Sequence, residues 1–445
     1  MDRLKRNISK AVGLFLTLLF ILPGCGVVAP EPPPTQSKTV TQSSSGEQIT
    51  LRVATGDSGA GLIPHQRIID QFEAENPDIV IELESIGGGD YYGRLLTAIR
   101  ADEGFDILHI GDDALPRFVE QNALLPLDEF MDGLYPLDRQ IYLPGLLEPG
   151  QWQGQQYLLP KDYSLLAIYY NKKIFDEQQV PYPQAGWTWA EFLATAQALT
   201  QDTDGDGQTD RWGVQLPASW TTGFEYWVAT AGGQLISPDG QAFEGYFDSP
   251  EAVNAFQFYA DLYNRYQVAP LPVDLTAFGG GNSEFQDGRA AMLFFGRWPQ
   301  TSLLENPNVE LAVVSPPQSE RQANLLIWSG FGIARNSPHQ EAAWRFLRFY
   351  TGQQGAEVWK DWALPAVQPV AEAAGLTADP IDGVWLAELD HVVPRGYTYT
   401  AHWESTAEPA LRRLLEQIII DPQTDIPKAV SAAARLAEAQ LNDGR

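Results

Sequence analysis

Between residues 49 and 56 (ITLRVATG) apolar and polar side chains alternate with the two-residue period of a strand. Residues 63–75 bring Ile63, Ile68, Ile69 and Phe72 onto one face, the spacing of a helix, and Asn76-Pro77 ends it. Residues 79–86 alternate again, 91–100 read as a helix, and 105–111 (FDILHIG) as a third strand. Strand, helix, strand, helix, strand at this spacing predicts a βαβ sheet covered on both faces. A helix is expected from 113 to 120, and strand, break, strand over 157–171. Thr188 and Glu191 have capping-box spacing ahead of a helix that ends near 199. Residues 212–233 carry Trp212, Trp220, Phe224, Tyr226 and Trp227 without a clear period and read as loop. Ser249-Pro250 starts a helix to about 266. Strands follow at 290–295, 309–315 and 325–334, and helices at 338–352 and 354–362. Helices near 381–390, 404–419 and 427–441 close the chain. No repeat period is visible, which argues against a solenoid.

The pattern ahead of residue 49 is of another kind. MDRLKRNISK is basic and polar, AVGLFLTLLFIL is apolar, and Leu22-Pro23-Gly24-Cys25 follows. This is the layout of an export signal, and the apolar run falls short of the roughly 20 residues of a comfortable membrane span. Residues 1–24 are read as signal peptide. Residues 25–48, rich in Pro, Ser, Thr and Gln, are read as a flexible tether. About 395 residues remain for the folded body, enough for two domains of ordinary size.

The formal net charge is -28, and removing residues 1–24 takes away four basic and one acidic residue. A broad basic face for nucleic acid or anionic lipid is therefore not expected. Cys25 is the only cysteine, so no intrachain disulfide can form. Histidines at 65, 109, 339, 391 and 402 lack the spacing of a metal site. Asp202, Asp204, Asp206 and Asp210 fall at positions 1, 3, 5 and 9 of a calcium loop, with Gly207 at position 6. Position 12 is Gly213 rather than the bidentate Glu of such loops. The candidate metal set is Asp202, Asp204, Asp206, Gln208 and Asp210, as a structural Ca²⁺ site. The other reading is an acidic, glycine-rich surface turn. No cofactor is required by either.

Several stretches, in order, resemble the bacterial extracellular solute-binding proteins of the sugar-binding kind that serve ABC importers. They are "FEAENPDIVIELESIG", "FDILHIGDDALPRFVEQNALLPLDEF", "LLPKDYSLLAIYYNKKIF", "GWTWAEFLATAQALT", "EFQDGRAAMLFFGRW" and "SGFGIARNSPHQEAAWRFLRFYTGQQG". Leu22–Cys25 resembles a lipobox, which implies acylation of Cys25 and a membrane anchor facing the periplasm or cell exterior. The resemblance implies an α/β, two-lobe periplasmic-binding-protein fold (type II), each lobe a mixed, mostly parallel sheet flanked by helices. Carried onto this chain, one lobe takes 49–160 and 318–366, the other 161–317 and 367–445, with hinges near 160–164 and 313–317. The implied function is capture of a mono- or oligosaccharide between the lobes by a monomer, and delivery to the permease subunits of the transporter without chemistry. A receptor for glycerol phosphate or another solute, and a secreted glycoside hydrolase, are the alternatives.

A sugar presents apolar C–H faces and a ring of hydroxyls, so its site pairs an aromatic face with polar groups. Trp298 directly follows a buried strand and a glycine and is the leading stacking platform, the other reading being a tryptophan that packs the lobe. Asp112 ends the third strand and could accept from hydroxyls or cap the following helix. Asp162 and Tyr163 lie at the expected hinge. Trp220 and Trp227 sit in the aromatic stretch read as loop, and Arg297 could hold hydroxyls. Trp328, Tyr397 and Trp403 are later candidates, and Asp57 and the 88–91 turn with Asp90 could edge the first lobe's side.

Overall fold

The computed structural model describes residues 48–86, 90–101, 104–218, 220–272 and 282–443. The export-signal segment, Cys25, the tether, and the glycine turns at 87–89 and 279–281 lie outside the described residues.

The body opens with β1 (Ile49–Thr55), α1 (Leu62–Glu75), β2 (Ile79–Ser85), α2 (Tyr91–Arg100), β3 (Ile107–Gly111) and α3 (Leu115–Glu120), as the periodicities predict. β1 pairs in parallel with both β2 and β3. The strand-break-strand stretch becomes β4 (Leu159–Ser164) and β5 (Ala167–Asn171). Next come α4 (Trp189–Leu199), β6 (Trp212–Gln215), α5 (Thr221–Thr230), α6 (Pro250–Asn264), β7 (Ala290–Phe295), β8 (Leu311–Val314) and β9 (Ile327–Ile333). Two large sheets result, ordered β2-β1-β3-β9-β4 and β8-β5-β7-β6, beside a short hairpin of Gln151–Trp152 with Gln155–Gln156. Both are mixed and flanked by helices. In the first, β9 runs antiparallel to β3 and β4; in the second, only β6 and β7 are parallel. Neither sheet is mostly parallel, contrary to expectation. The reason is that β4 and β9 are joined to the other sheet, and a strand returning from there can pair antiparallel without a crossover helix.

The loop expected over 212–233 is instead a strand and a helix. Every residue of α5 is buried. A helix buried all round, here with Thr221, Thr222, Glu225 and Thr230 inside as well, has no one-sided apolar stripe, so no helical period could be read from it. Where only one face is buried the reading worked: the α4 capping box forms, with Glu191 Oε2 accepting from Thr188 N–H at 2.7 Å and Thr188 Oγ1 from Glu191 N–H at 3.2 Å. α7 (Gln340–Thr351) and α8 (Gln353–Trp359) pack on the first sheet, with Trp344, Phe346 and Leu347 buried in its core.

Buried side chains fall into two clusters. One covers the first sheet and takes in the face of the second that carries Tyr169, Leu293 and Val313. The other fills the opposite face of the second sheet, against α4, α5, α6 and the C-terminal helices α9 (Ala407–Ile420) and α10 (Ile426–Asp443). Val367, Val370 and Trp385 belong to the first cluster, although the expected division gives 367–445 to the second lobe. The chain leaves the first sheet at Leu165-Leu166, just past the expected 160–164. It returns through the segment between Val314 and Ile327, of which 313–317 is only the start. Among the described residues no helix is long and apolar enough to cross a membrane.

Candidate ligand-binding cleft

Two adjoining cavities lie between the sheets, of about 340 and 490 Å³, and they share Trp298, Ile327 and Trp328 as a common wall. β1, β3, β4 and β9 bring their polar residues to the first cavity, at the ends of neighbouring strands. Asp57 lies two residues past β1, His109 is on β3, Lys161, Asp162 and Tyr163 are on β4, and Ser329 is on β9.

These groups form one hydrogen-bonded network. Asp57 Oδ2 is 2.8 Å from His65 Nε2 and 2.9 Å from Lys161 Nζ. Lys161 Nζ is also 3.3 Å from Asp162 Oδ2 and stands 4.5 Å above the Trp359 ring. Ser329 Oγ donates to Asp162 Oδ1 at 2.6 Å and lies 3.0 Å from His109 Nε2, whose Nδ1 is 3.1 Å from Thr55 Oγ1. Tyr350 Oη closes the far side at 2.8 Å from His65 Nδ1. One tautomer set satisfies all of this: both imidazoles neutral, with Nε2–H donating to Asp57 and to Ser329. Burial, the largest influence on each imidazole, lowers both pKa values and favours that form. Burial would raise the Asp57 carboxyl, but the His65 hydrogen bond and the Lys161 charge hold it well below the usual carboxylate range. Burial likewise opposes the Lys161 ammonium, yet Asp162 and Asp57 keep its pKa above the ordinary value.

The second sheet supplies the opposite wall. Trp298 is 52% exposed, its ring free to offer a face. Gly296 makes room for it, since a Cβ there would lie 2.2 Å from the indole. Trp220 and Phe295 meet that indole edge to face at 5.8 and 5.4 Å. Arg297 is anchored by its Nε to Asp382 Oδ1 at 2.9 Å and by its backbone N–H to Ser164 Oγ at 2.8 Å. Tyr163 is buried along the first cavity, and its Oη has no hydrogen-bond partner among the described residues.

The second cavity is more acidic. Asp112 Oδ2 accepts from Tyr397 Oη, Asp112 Oδ1 accepts from Asp113 N–H at 3.0 Å, and Arg395 Nη1 is 3.7 Å from Asp112 Oδ1. Arg395 also donates to Thr222 Oγ1 at 2.7 Å and lies 3.7 Å from Glu225 Oε1. Nearby, Arg117 pairs with Glu404 at 3.0 Å. Burial pushes Asp112 up to about 7 despite the attraction of Arg395, with repulsion from Asp113 adding to the rise. Asp113, Glu225 and Glu404 are raised as well, with burial the first cause in each.

Of the residues singled out from sequence, Asp57, Asp162, Tyr163, Arg297, Trp298 and Trp328 line the first cavity, and Asp112, Trp220, Trp298 and Trp328 the second. Tyr397 reaches the second through its contact with Asp112. Trp328 is a wall more than a platform: it is 2% exposed and its Nε1 donates to Leu146 C=O at 2.9 Å. Asp112 does not cap α3, whose N-cap is Ala114.

Three expectations need correction. Trp227 is fully buried among Trp189, Phe192 and Phe294, because α5 is an all-buried helix and not a surface loop. Trp403 is buried in the same cluster, against Gly396 and Phe243. Asp90 spends its carboxylate as the N-cap of α2, accepting from Gly93 N–H at 3.1 Å. Sequence reasoning gave no role to His109, Ser329, Trp359, Trp362, Tyr92, Thr222 or Arg395, all of which line the cavities. Lys161 carried a signal in its place beside Asp162 at the end of a strand. Arg395 and Thr222 carried none, being 173 residues apart.

In the acidic loop, Asp202, Asp204 and Asp210 bring carboxylate oxygens within 4.8 Å of one another on the surface, close enough to coordinate a divalent cation. The Asp206 carboxylate is not part of this trio: its Oδ1 accepts from Gln208 N–H at 2.7 Å, while Asp206 N–H donates to Asp204 Oδ1 at 3.1 Å. Much of the trio's capacity is taken by the loop's own backbone, as where Asp202 accepts from Gly205 and Gly207 N–H at 2.6 and 2.8 Å.

Two helix-flanked sheets joined by connecting segments, with polar groups converging between them, make a receptor that encloses a solute. The chain belongs to the bacterial extracellular solute-binding protein family, whose model matches residues 40–357. Members of that family bind a solute outside the cytoplasm without converting it, so the chain is exported and is not an enzyme. A maltotriose-binding protein of Pyrococcus abyssi is 22% identical over 382 residues, 80% of this chain and 75% of the relative. An ABC substrate-binding protein of Listeria monocytogenes, solved in complex with cycloalternan, superposes with a TM-score of 0.76 at 24% identity, covering 89% of this chain and 98% of that one. UgpB of Mycobacterium tuberculosis, solved with glycerophosphocholine, has the same fold at a TM-score of 0.76 and 17% identity, covering 89% and 99%.

Proposed function

We propose that the protein captures an uncharged carbohydrate between its two lobes and hands it to the permease of an ABC importer. The observation that carries this is the half-exposed Trp298 indole standing between two cavities lined by carboxylate, hydroxyl and guanidinium groups. An indole face suits the C–H patches of a sugar ring, and the paired charges around it suit hydroxyls that donate and accept. Asp57, Asp162, Tyr163 and Arg297 bind hydroxyls in the first cavity; Asp112 and Trp220 serve the second. Tyr163 Oη gains from the ligand the partner that no described residue provides. The naming of maltotriose and cycloalternan in relatives is consistent with a glucoside. Cys25 is the lipid-bearing residue, and residues 26–48 tether the body to the membrane. The Asp202–Asp204–Asp210 trio holds Ca²⁺ as a local structural ion.

A thermal-shift panel tests the reading. A ligand at 100 times its Kd stabilises the folded state by about 2.7 kcal/mol, enough to move the melt. Maltose, maltotriose or trehalose should raise Tm. A shift with glycerophosphocholine or glycerol phosphate alone would replace the sugar reading, and turnover of a chromogenic glycoside would end it.

A further inference from the structure

The two sheets are joined where β4 passes into β5 and where β8 passes into β9. Leu165 and Leu166 are neighbours in sequence, yet one is buried in the first cluster and the other in the second. Leu326 and Leu325 repeat that split on the return. A third segment, 388–393, leads from Trp385 in the first cluster to Tyr397 in the second.

One residue meets all three. Asn324 is fully buried. Its Oδ1 accepts from Leu166 N–H at 3.0 Å and from Leu325 N–H at 2.8 Å. Its Nδ2 donates to Leu166 C=O at 2.9 Å and to Glu388 Oε2 at 2.8 Å. Its backbone N–H donates to His391 C=O at 2.8 Å, and its C=O accepts from Val393 N–H at 3.0 Å. The carboxamide therefore donates twice and accepts twice, its whole ordinary inventory. An aspartate could not donate to Leu166 C=O and would face the Glu388 carboxylate. An apolar residue would leave Leu166 and Glu388 without these partners.

Closure of two rigid lobes requires their connections to twist together. Connections tied to one side chain cannot slide past one another, so rotation is confined to the point where they are tied. We propose that Asn324 is the positioning residue for lobe closure, clamping the three connecting segments into a single pivot. The proposal rests on the two-lobed receptor reading. Asn324 lines neither cleft cavity, so it acts on binding only through the geometry of the lobes.

The test needs no ligand. Cys25→Ser removes the native thiol, and spin labels go on Arg67→Cys in α1 and Asn254→Cys in α6, both exposed positions. Pulsed electron paramagnetic resonance then reads the interlobe distance distribution. The parent is expected to give a narrow distribution and Asn324→Ala a broad or multiple one. Glu388→Gln keeps an acceptor for Nδ2 and should stay narrow. A merely structural asparagine would lower Tm in Asn324→Ala and leave the width unchanged, which would overturn the proposal. Glu388→Gln broadening as far as Asn324→Ala would overturn it too. Should Asn324→Ala not fold, amide exchange in the parent decides. Leu166 and Val393 N–H should exchange as slowly as Leu293 N–H in β7, and exchange about 100-fold faster would refute the clamp. Failure of the sugar panel leaves these readouts untouched.

Discussion

The two cavities on either side of Trp298 solve the burial of charge in different ways. In the first, Lys161 lies between Asp57 and Asp162, neutral His65 ties Asp57 to Tyr350, and Ser329 ties Asp162 to neutral His109. In the second, carboxylates crowd around Arg395, and burial lifts their pKa values. The first wall is thus held in its ionised form, while the second sits near the point of taking up protons. Paired charges give a fixed pattern of donors and acceptors, whereas raised carboxyls make the other half responsive to pH.

The largest effect separating the two should come from Lys161→Met. It strands Asp57 and Asp162 without their cation, and breaking such a pair costs about 3 kcal/mol. The melting temperature at pH 7 should fall by several degrees, and a change below one degree would mean that the first cavity is not organised by this ammonium. Next, Trp298→Ala removes the wall common to both cavities. Loss of an aromatic anchor costs about 2 kcal/mol, or roughly 30-fold in Kd for a bound sugar. Calorimetry should show that loss with the unliganded Tm little changed, because the indole is half exposed.

A smaller, signed difference concerns pH. Asp112 is raised from 3.8 to about 7, so its contribution to stability is complete below pH 3.8 and is lost as pH rises through 7. Asp57 is lowered, so its contribution is complete above pH 3.8 and is lost only as pH falls below that value. From this group Tm should therefore decline between about pH 4 and 7 in the parent and decline less in Asp112→Asn. Equal slopes would contradict the contrast between the cavities. The smallest effect belongs to the acidic loop, distant in role from both. Ca²⁺ should raise Tm by a degree or two in the parent and not in Asp204→Asn, with sugar affinity the same in each.

Elements with one buried face announced themselves in the sequence. β1, α1, β2 and the capped α4 follow from period and cap because each local residue choice agrees with a single exposed side. Trp298 was legible for a related reason, since a glycine between a buried strand and an indole leaves room for the ring at the strand's end. The family likewise was written in the order of short stretches along the chain.

Tertiary structure alone decided the rest. α5 is buried on every side, so its sequence has no period, and Trp227 in it could not be told from a surface aromatic. Lys161 and Asp57 are 104 residues apart, and Asp162 and Ser329 are 167 apart, yet each pair is in hydrogen-bond contact. Asn324 reaches Leu166 across 158 residues. Local patterning records which side of an element faces water. It holds no record of which distant strand end arrives opposite, because that is fixed only when the two sheets and their connections pack together.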